Sequence, residues 1–164
     1  MGIPDKQELL DRRYLRMAQI WAENSYCVRR KVGALMVKER TIISDGFNGT
    51  PAGFENVCED ADGVTKTYVL HAEANAITKV ARSNNSSRDA TLYITASPCL
   101  DCAKLIIQAG ITRVVFADLY RITDGIDLLR RAGVECCLLP VAAGDNDSSY
   151  SSPSSTAYNI TPKQ

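Results

Sequence analysis

Two short runs in this chain carry residue types that can do chemistry. They are His71-Ala72-Glu73 and Pro98-Cys99-Leu100-Asp101-Cys102, with twenty-four residues between Glu73 and Pro98. Imidazole and thiolate are the ligands zinc prefers, and a catalytic site uses three protein ligands and leaves one position for water. His71, Cys99 and Cys102 supply three. Cys99 and Cys102 are three apart, so on a helical turn they share a face and can chelate one ion. Each run falls at the predicted start of a helix, where free N–H groups and the macrodipole favour a thiolate. Pro98 suits that entry because its missing N–H would have no partner there.

A charge count assigns Glu73. Two thiolates and a neutral imidazole cancel a dication, so water at such an ion is acidified less than at a zinc held by three histidines. A general base beside the water is then useful, and Glu73 lies two positions from a ligand. Taken singly, the runs have plainer readings. A histidine followed by a glutamate is usually helix surface, and a C-x-x-C can be redox-active or half of a structural site. His71 is the only histidine of the chain, which counts against a second histidine-based metal centre. Jointly the two runs form the H-x-E…P-C-x-x-C signature of zinc deaminases.

The elements that must position these residues follow from periodicity. Asp5 to Asn24 reads as an amphipathic helix with Leu10, Tyr14, Met17 and Trp21 at helical spacing. Asp5 and Glu8 look like a capping box. Val32 to Val37 and Thr41 to Phe47 read as a hairpin. Residues 46–63 form a loop rich in Gly, Asn and Pro at its start. Helices are predicted over His71 to Ala81, Leu100 to Ala109 and Asp124 to Ala132, the last two ended by Gly110 and Gly133. Strands are predicted over Thr91 to Thr95, Arg113 to Ala117 and Val134 to Leu139. A hairpin followed by strand–helix alternation implies one α/β domain with a mixed sheet covered on both faces. The serine-rich stretch 144–164 reads as a mobile tail beyond a domain of residues 1–143. Docking of that tail on a neighbouring subunit through Tyr150 and Tyr158 is the alternative.

Composition narrows the partners. The 164 residues are 45% hydrophobic and 23% charged, with Lys plus Arg equal to Asp plus Glu at 19 each. A zero balance argues against binding duplex nucleic acid through its phosphates. It leaves room for a small anion held by one or two arginines. No run approaches the roughly 20 apolar residues of a membrane span, and no secretory h-region opens the chain. A cytoplasmic protein is expected, with its six cysteines used for metal or packing rather than disulfides.

From about Leu9 to Leu139 the sequence resembles the cytidine deaminase superfamily, and within it the deoxycytidylate (dCMP) deaminases. The likeness rests on His71-Ala72-Glu73-Ala74-Asn75-Ala76-Ile77, Ser97-Pro98-Cys99-Leu100-Asp101-Cys102, Val32-Gly33-Ala34 and Gly46-Phe47-Asn48-Gly49-Thr50-Pro51. It implies a three-layer α/β/α fold with a five-stranded sheet, a hexamer, and hydrolysis of dCMP to dUMP and ammonia by a zinc-activated water. It also implies roles. Asn48 would bond the sugar hydroxyl, the Ala72 N–H the cytosine O2, and the Ser97 carbonyl the amino group. The stretch with Gly49 and Thr50 would take regulatory nucleotides, dCTP with magnesium as activator and dTTP as inhibitor. On residue types alone that stretch is an ordinary turn.

For the 5′-phosphate, Arg29, Arg30 and Arg121 are candidates, and Tyr120 could bound the pocket. Some phage-type relatives hold a second, structural zinc. Cys27 and Cys58 match two of its ligands, but no histidine precedes His71 and Val69 replaces the glutamate, so that site is expected to be absent or incomplete. Cys136 and Cys137 read as packing residues. The alternatives are a deaminase of the same fold acting on free cytidine, guanine or tRNA adenosine, and a non-catalytic zinc or nucleotide-binding module.

Overall fold

The structure, a computed structural model, describes residues 5–141. The serine-rich tail, with Tyr150 and Tyr158, lies outside the described residues. Four helices and five strands follow one another as α1 (Lys6–Ala22), β1 (Gly33–Lys38), β2 (Thr41–Phe47), α2 (Ala72–Ala81), β3 (Thr91–Ile94), α3 (Leu100–Gln108), β4 (Arg113–Phe116), α4 (Asp124–Arg131) and β5 (Glu135–Leu138). The sheet order is β2-β1-β3-β4-β5. β1 pairs antiparallel with β2 and with β3, whereas β3, β4 and β5 run parallel. This is the expected α/β fold with a five-stranded mixed sheet, and every predicted element lies within two residues of its observed bounds.

The sheet is buried on both sides, which gives three layers. Ala34, Met36, Leu92, Ile94, Val114 and Phe116 project from one face into a core shared with α2, α3 and α4. Leu35, Val37, Tyr93 and Val115 project from the other face and meet Leu15 and Ala18 of α1. Alternate residues of β1 therefore serve opposite cores, as the two-residue period of a strand requires. Cys136 packs at the edge of the first core and Cys137 at the edge of the second, in keeping with their predicted packing role.

Two expectations for α1 do not hold. Its buried face is Asp11, Leu15, Ala18 and Ala22, not the stripe read from the sequence. Met17 and Trp21 remain 44% and 38% exposed. The apolar stripe and the buried face are offset by one residue because a charged side chain, Asp11, takes an interior position. Nor does Asp5 cap the helix with its side chain. Glu8 pairs instead with Arg12, four residues on, at 2.7 Å.

Asp11 is only 3% exposed. It accepts from Tyr93 Oη at 2.7 Å and from Arg113 Nη1 and Nη2 at 2.9 and 2.8 Å. Gln7 Nε2 donates to it as well, at 2.9 Å. Burial pushes its pKa up, but the hydrogen bonds from Arg113, Tyr93 and Gln7 outweigh that and hold it below the usual carboxylate value. This network ties α1 to β3 and β4 across the sheet. Removing the carboxylate takes away the two-pronged partner of the Arg113 guanidinium and leaves it the Glu135 carboxylate, at 3.1 Å, and breaking a buried pair costs about 3–5 kcal/mol. Denaturant unfolding of Asp11→Ala should show a loss in that range. Because the folded pKa is depressed, the Asp11 contribution is complete above the ordinary value and fades as pH falls through the lowered one. The acid limb of wild-type stability should therefore be steeper than that of the variant.

Candidate active site

The first turns of α2 and α3 point at one another. His71 stands at the N-cap of α2 in extended conformation, and Cys99 stands at the N-cap of α3 in the same way. The His71 Nδ1 atom lies 3.4 Å from Cys99 Sγ and 3.5 Å from Cys102 Sγ. A tetrahedral zinc with ordinary Zn–N and Zn–S bonds holds nitrogen and sulfur about 3.6 Å apart. The three donors thus stand where one zinc ion needs them, and they form the one such cluster among the described residues.

Close approach of backbone makes this convergence possible. Gly46 of β2 faces the first turn of α2, and a Cβ there would overlap the Ala72 carbonyl oxygen. Gly125, in the first turn of α4, faces the turn that carries Cys99. A Cβ at Gly125 would overlap the Pro98 carbonyl oxygen and crowd the Cys99 carbonyl. Leu70, just before His71, exchanges both backbone hydrogen bonds with Gly49, at 3.0 and 2.8 Å. That pair brings the Asn48 turn beside the histidine. Sequence reasoning missed Gly125. Its signal was a glycine one residue inside a predicted helix, where it lowers helix propensity and needs a packing reason.

The electrostatics suit a thiolate site. Cys99 is lowered to about 4, first by the hydrogen bond with Cys102 and then by that with His71. Cys102 is pushed well up, chiefly by its hydrogen bond to Cys99 and by burial. One of the two sulfurs is thus ionised readily and shares the proton of the other. A zinc ion takes both as thiolates, so its binding releases that proton. Glu73 is 3% exposed, and burial raises it to about 7. A carboxylate titrating there can both take and give a proton at neutral pH.

A cavity of about 360 Å³ opens onto these groups, with His71, Glu73, Cys99 and Ser97 in its wall. Asn48, Arg29, Arg30 and Tyr120 line its remaining side, whereas Arg121 lies outside the lining. Ala72 begins α2, so its N–H is one of those without an intrahelical acceptor. Ser97 is fixed at both ends. Its N–H donates to the Asp118 carbonyl at 2.9 Å and its Oγ accepts from the Tyr120 N–H at 2.8 Å. Arg30 pairs with Asp118 at 2.6 Å and lies 5.7 Å from the centre of the Tyr120 ring. The Asn48 side chain accepts from Val32 N–H and donates to the Arg30 carbonyl, each at 2.8 Å. Its amide keeps a second lone pair and a second N–H for a ligand.

Gly49 and Thr50 line a different cavity, of about 410 Å³, with Lys79 and Arg82 on its α2 side. The Gly49 N–H is already bound to Leu70, and Thr50 Oγ1 donates to the Glu55 carbonyl. The expectation that all six cysteines serve metal or packing is corrected. Cys27 and Cys58 form a disulfide, with Cα atoms 5.1 Å apart. The sequence could not reveal this pairing, because 31 residues separate the two and the fold alone brings them together.

The contact at Gly125 yields a test. Gly125→Ala should displace the Pro98–Cys99 turn and lower zinc content by metal analysis well below one per chain. A substitution at exposed Gly133, where a Cβ would meet nothing within 4 Å but the left-handed backbone (φ 81°) disfavours a side chain, should cost stability yet lose no metal.

Comparison with known proteins agrees with this geometry. The model of the cytidine and deoxycytidylate deaminase zinc-binding region matches residues 9–118. The deoxycytidylate deaminase of Enterobacteria phage T4 is 34% identical over 169 residues, covering 77% of this chain and 88% of that one. That of Saccharomyces cerevisiae is 34% identical over 134 residues, covering 76% of this chain and 43% of that longer protein. A crystal structure of dCMP deaminase from the cyanophage S-TIM5, in complex with dCMP and dUMP, superposes with a TM-score of 0.79 at 44% identity. It covers 84% of this chain and 100% of that one. With the His71, Cys99 and Cys102 donors at zinc-binding separations, the chain belongs to the cytidine and deoxycytidylate deaminase family.

Proposed function

We propose that this protein hydrolyses dCMP to dUMP and ammonia, supplying dUMP for thymidylate synthesis. The observation that carries this reading is the buried Glu73 carboxylate in one cavity with His71 and Cys99, two members of the His71–Cys99–Cys102 donor group. The cyanophage relative described with dCMP and dUMP supports the choice of substrate. His71 Nδ1 and the Cys99 and Cys102 sulfurs would hold the zinc, which supplies Lewis acidity that activates the attacking water.

The chain's own groups do the rest. Glu73 takes a proton from the water that adds to C4 and delivers it to the ring nitrogen N3. It then carries a second proton to the departing amine, so that water and dCMP leave as dUMP and ammonia. The Ala72 N–H holds O2 of the base, and the Ser97 carbonyl accepts from the amino group. Asn48 meets the sugar hydroxyl. Arg30, anchored by Asp118 and stacked near Tyr120, faces the 5′-phosphate with its remaining donors. Arg29 is the alternative. Tyr120 bounds the pocket.

Regulation belongs to the same reading. The cavity lined by Gly49 and Thr50 has two cationic side chains, Lys79 and Arg82, suited to phosphates. Lys79 is held by Asp45 at 2.6 Å. dCTP with Mg2+ would activate from there and dTTP would inhibit. The exposed apolar side chains Met17, Ile20 and Trp21 on α1 suit a subunit interface, since such patches mark protein contacts, and the assembly we propose is a homohexamer.

Glu73→Gln should keep its zinc and fold yet lose kcat by about 10²–10⁴-fold, the usual worth of a general acid–base. In an ammonia-release assay, wild type should show a far higher kcat/KM for dCMP than for deoxycytidine. Equal turnover of the two would remove phosphate recognition from the site, and wild-type turnover by Glu73→Gln would remove the mechanism. Sigmoidal dependence on dCMP should become hyperbolic with dCTP and Mg2+. Hyperbolic kinetics indifferent to dCTP and dTTP would exclude the regulatory site.

A further inference from the structure

We infer that the Cys27–Cys58 disulfide is a positioning staple for the substrate pocket, so that substrate affinity depends on the oxidation state of this pair. The inference rests on the proposed function and deepens it. Between Asn48 and His71 the chain has no helix or strand, only isolated bridges from Gly49 to Leu70 and from Glu59 to Thr65. Such a long loop needs an anchor if it is to present groups accurately. The base of the loop is pinned by the Gly49–Leu70 pair. Its far end is pinned at one corner, Cys58-Glu59, to one segment, Cys27-Val28-Arg29. The disulfide makes the first link. Glu59 Oε1 makes the others, accepting from the Val28 and Arg29 N–H groups at 2.9 and 3.1 Å.

The stapled segment leads directly to Arg30, and it also touches Asn48. Ser25 Oγ donates to the Asn48 carbonyl at 2.8 Å and accepts from the Cys27 N–H at 3.2 Å. The Asn48 amide in turn grips Val32 and the Arg30 carbonyl. Asn48, Arg29 and Arg30 therefore move with Cys27. The bond also lies between the two cavities: Cys27 lines the one with Glu73, Cys58 lines the one with Lys79, and Asn48 lines both. Without the covalent link, the two exposed hydrogen bonds to the Glu59 carboxylate are left to hold that corner, and these compete with water.

Cys27 and Cys58 are 2% and 1% exposed, so exchange requires the loop to open first. Reduction breaks one S–S bond and forms two S–H groups, taking two electrons from a dithiol or phosphine, with the two protons coming from the dithiol or, for a phosphine, from water. In a reducing compartment, disulfides are mostly transient and redox-sensing, so a pocket that tightens on oxidation would respond to that balance.

The test uses the full-length, zinc-loaded protein. After chelation and denaturation without reductant, alkylation should modify four of the six cysteines, Cys99, Cys102, Cys136 and Cys137. All six should react after treatment with a phosphine, which becomes the phosphine oxide with oxygen from water. In native assays, phosphine reduction and the double variant Cys27→Ser/Cys58→Ser should each raise KM for dCMP about tenfold, as lost preorganisation does. The fall in kcat should be smaller, with zinc content unchanged, and Cys136→Ser/Cys137→Ser should not reproduce the KM effect. Six alkylated cysteines without reductant, or one KM for oxidised, reduced and double-variant protein, overturns the inference. If the oxidised wild type releases no ammonia from dCMP, the proposed function fails instead. Limited proteolysis between Pro51 and Val57 then decides the staple: faster cleavage on reduction supports it, and equal cleavage overturns it.

Discussion

An imidazole nitrogen must come within about 3.5 Å of two sulfurs that lie 28 and 31 residues further along the chain, on another helix start, although no hydrogen-bond ladder joins the two starts. Nearly everything else in the molecule serves that meeting. A parallel β3–β4 pair sets the direction of α3, the packing of α2 against β1 and β2 sets that of α2, and both helices end their approach with N-termini facing each other. Thiolate sulfurs placed at such ends sit in the positive field of the free N–H groups. Small residues make the approach possible. Where β2 meets α2 and where α4 meets the Pro98–Cys99 turn, the backbones are closer than a methyl group permits.

Burial then gives the site its chemical character. Glu73 is on the inward side of the first turn of α2, enclosed by the core, and desolvation lifts its pKa toward neutrality. The same carboxylate on the solvent side of that turn would stay ionised and be a poorer proton carrier. The opposite face of the sheet shows another outcome of burial. Asp11 is as enclosed as Glu73, yet stays below the usual carboxylate value because Arg113, Tyr93 and Gln7 donate to it. Two buried carboxylates, one with hydrogen-bonding partners that include a cation and one held beside thiolates, are thus set for structure and for proton transfer.

The pocket mouth is less rigidly built than the metal centre. Its residues come from irregular segments, 25–32, 48–70 and 117–121, held to each other by side-chain contacts and single backbone hydrogen bonds rather than by continuous strand ladders. Asn48 is the junction of the first two and the Arg30–Asp118 pair ties in the third. This division of labour places the metal donors on the scaffold and the groups facing the sugar and phosphate on loops.

The sequence by itself determined the element order, the α/β class and the His/Cys/Cys group able to hold a metal, because those depend on periodicity and on spacings of two and three residues. His71, Glu73, Cys99 and Cys102 were legible for that reason. Tertiary structure alone decided what depends on distant segments meeting. It buried Asp11 in place of the Met17 and Trp21 stripe, since Arg113 and Tyr93 wait on the sheet beneath. It joined Cys27 to Cys58, put Gly125 against the Pro98 carbonyl, and brought Arg30 to the cavity while leaving Arg121 out. No local pattern encodes such encounters: each is fixed by how loops and layers close over one another, and a residue carries no mark of a partner 30 or 100 positions away.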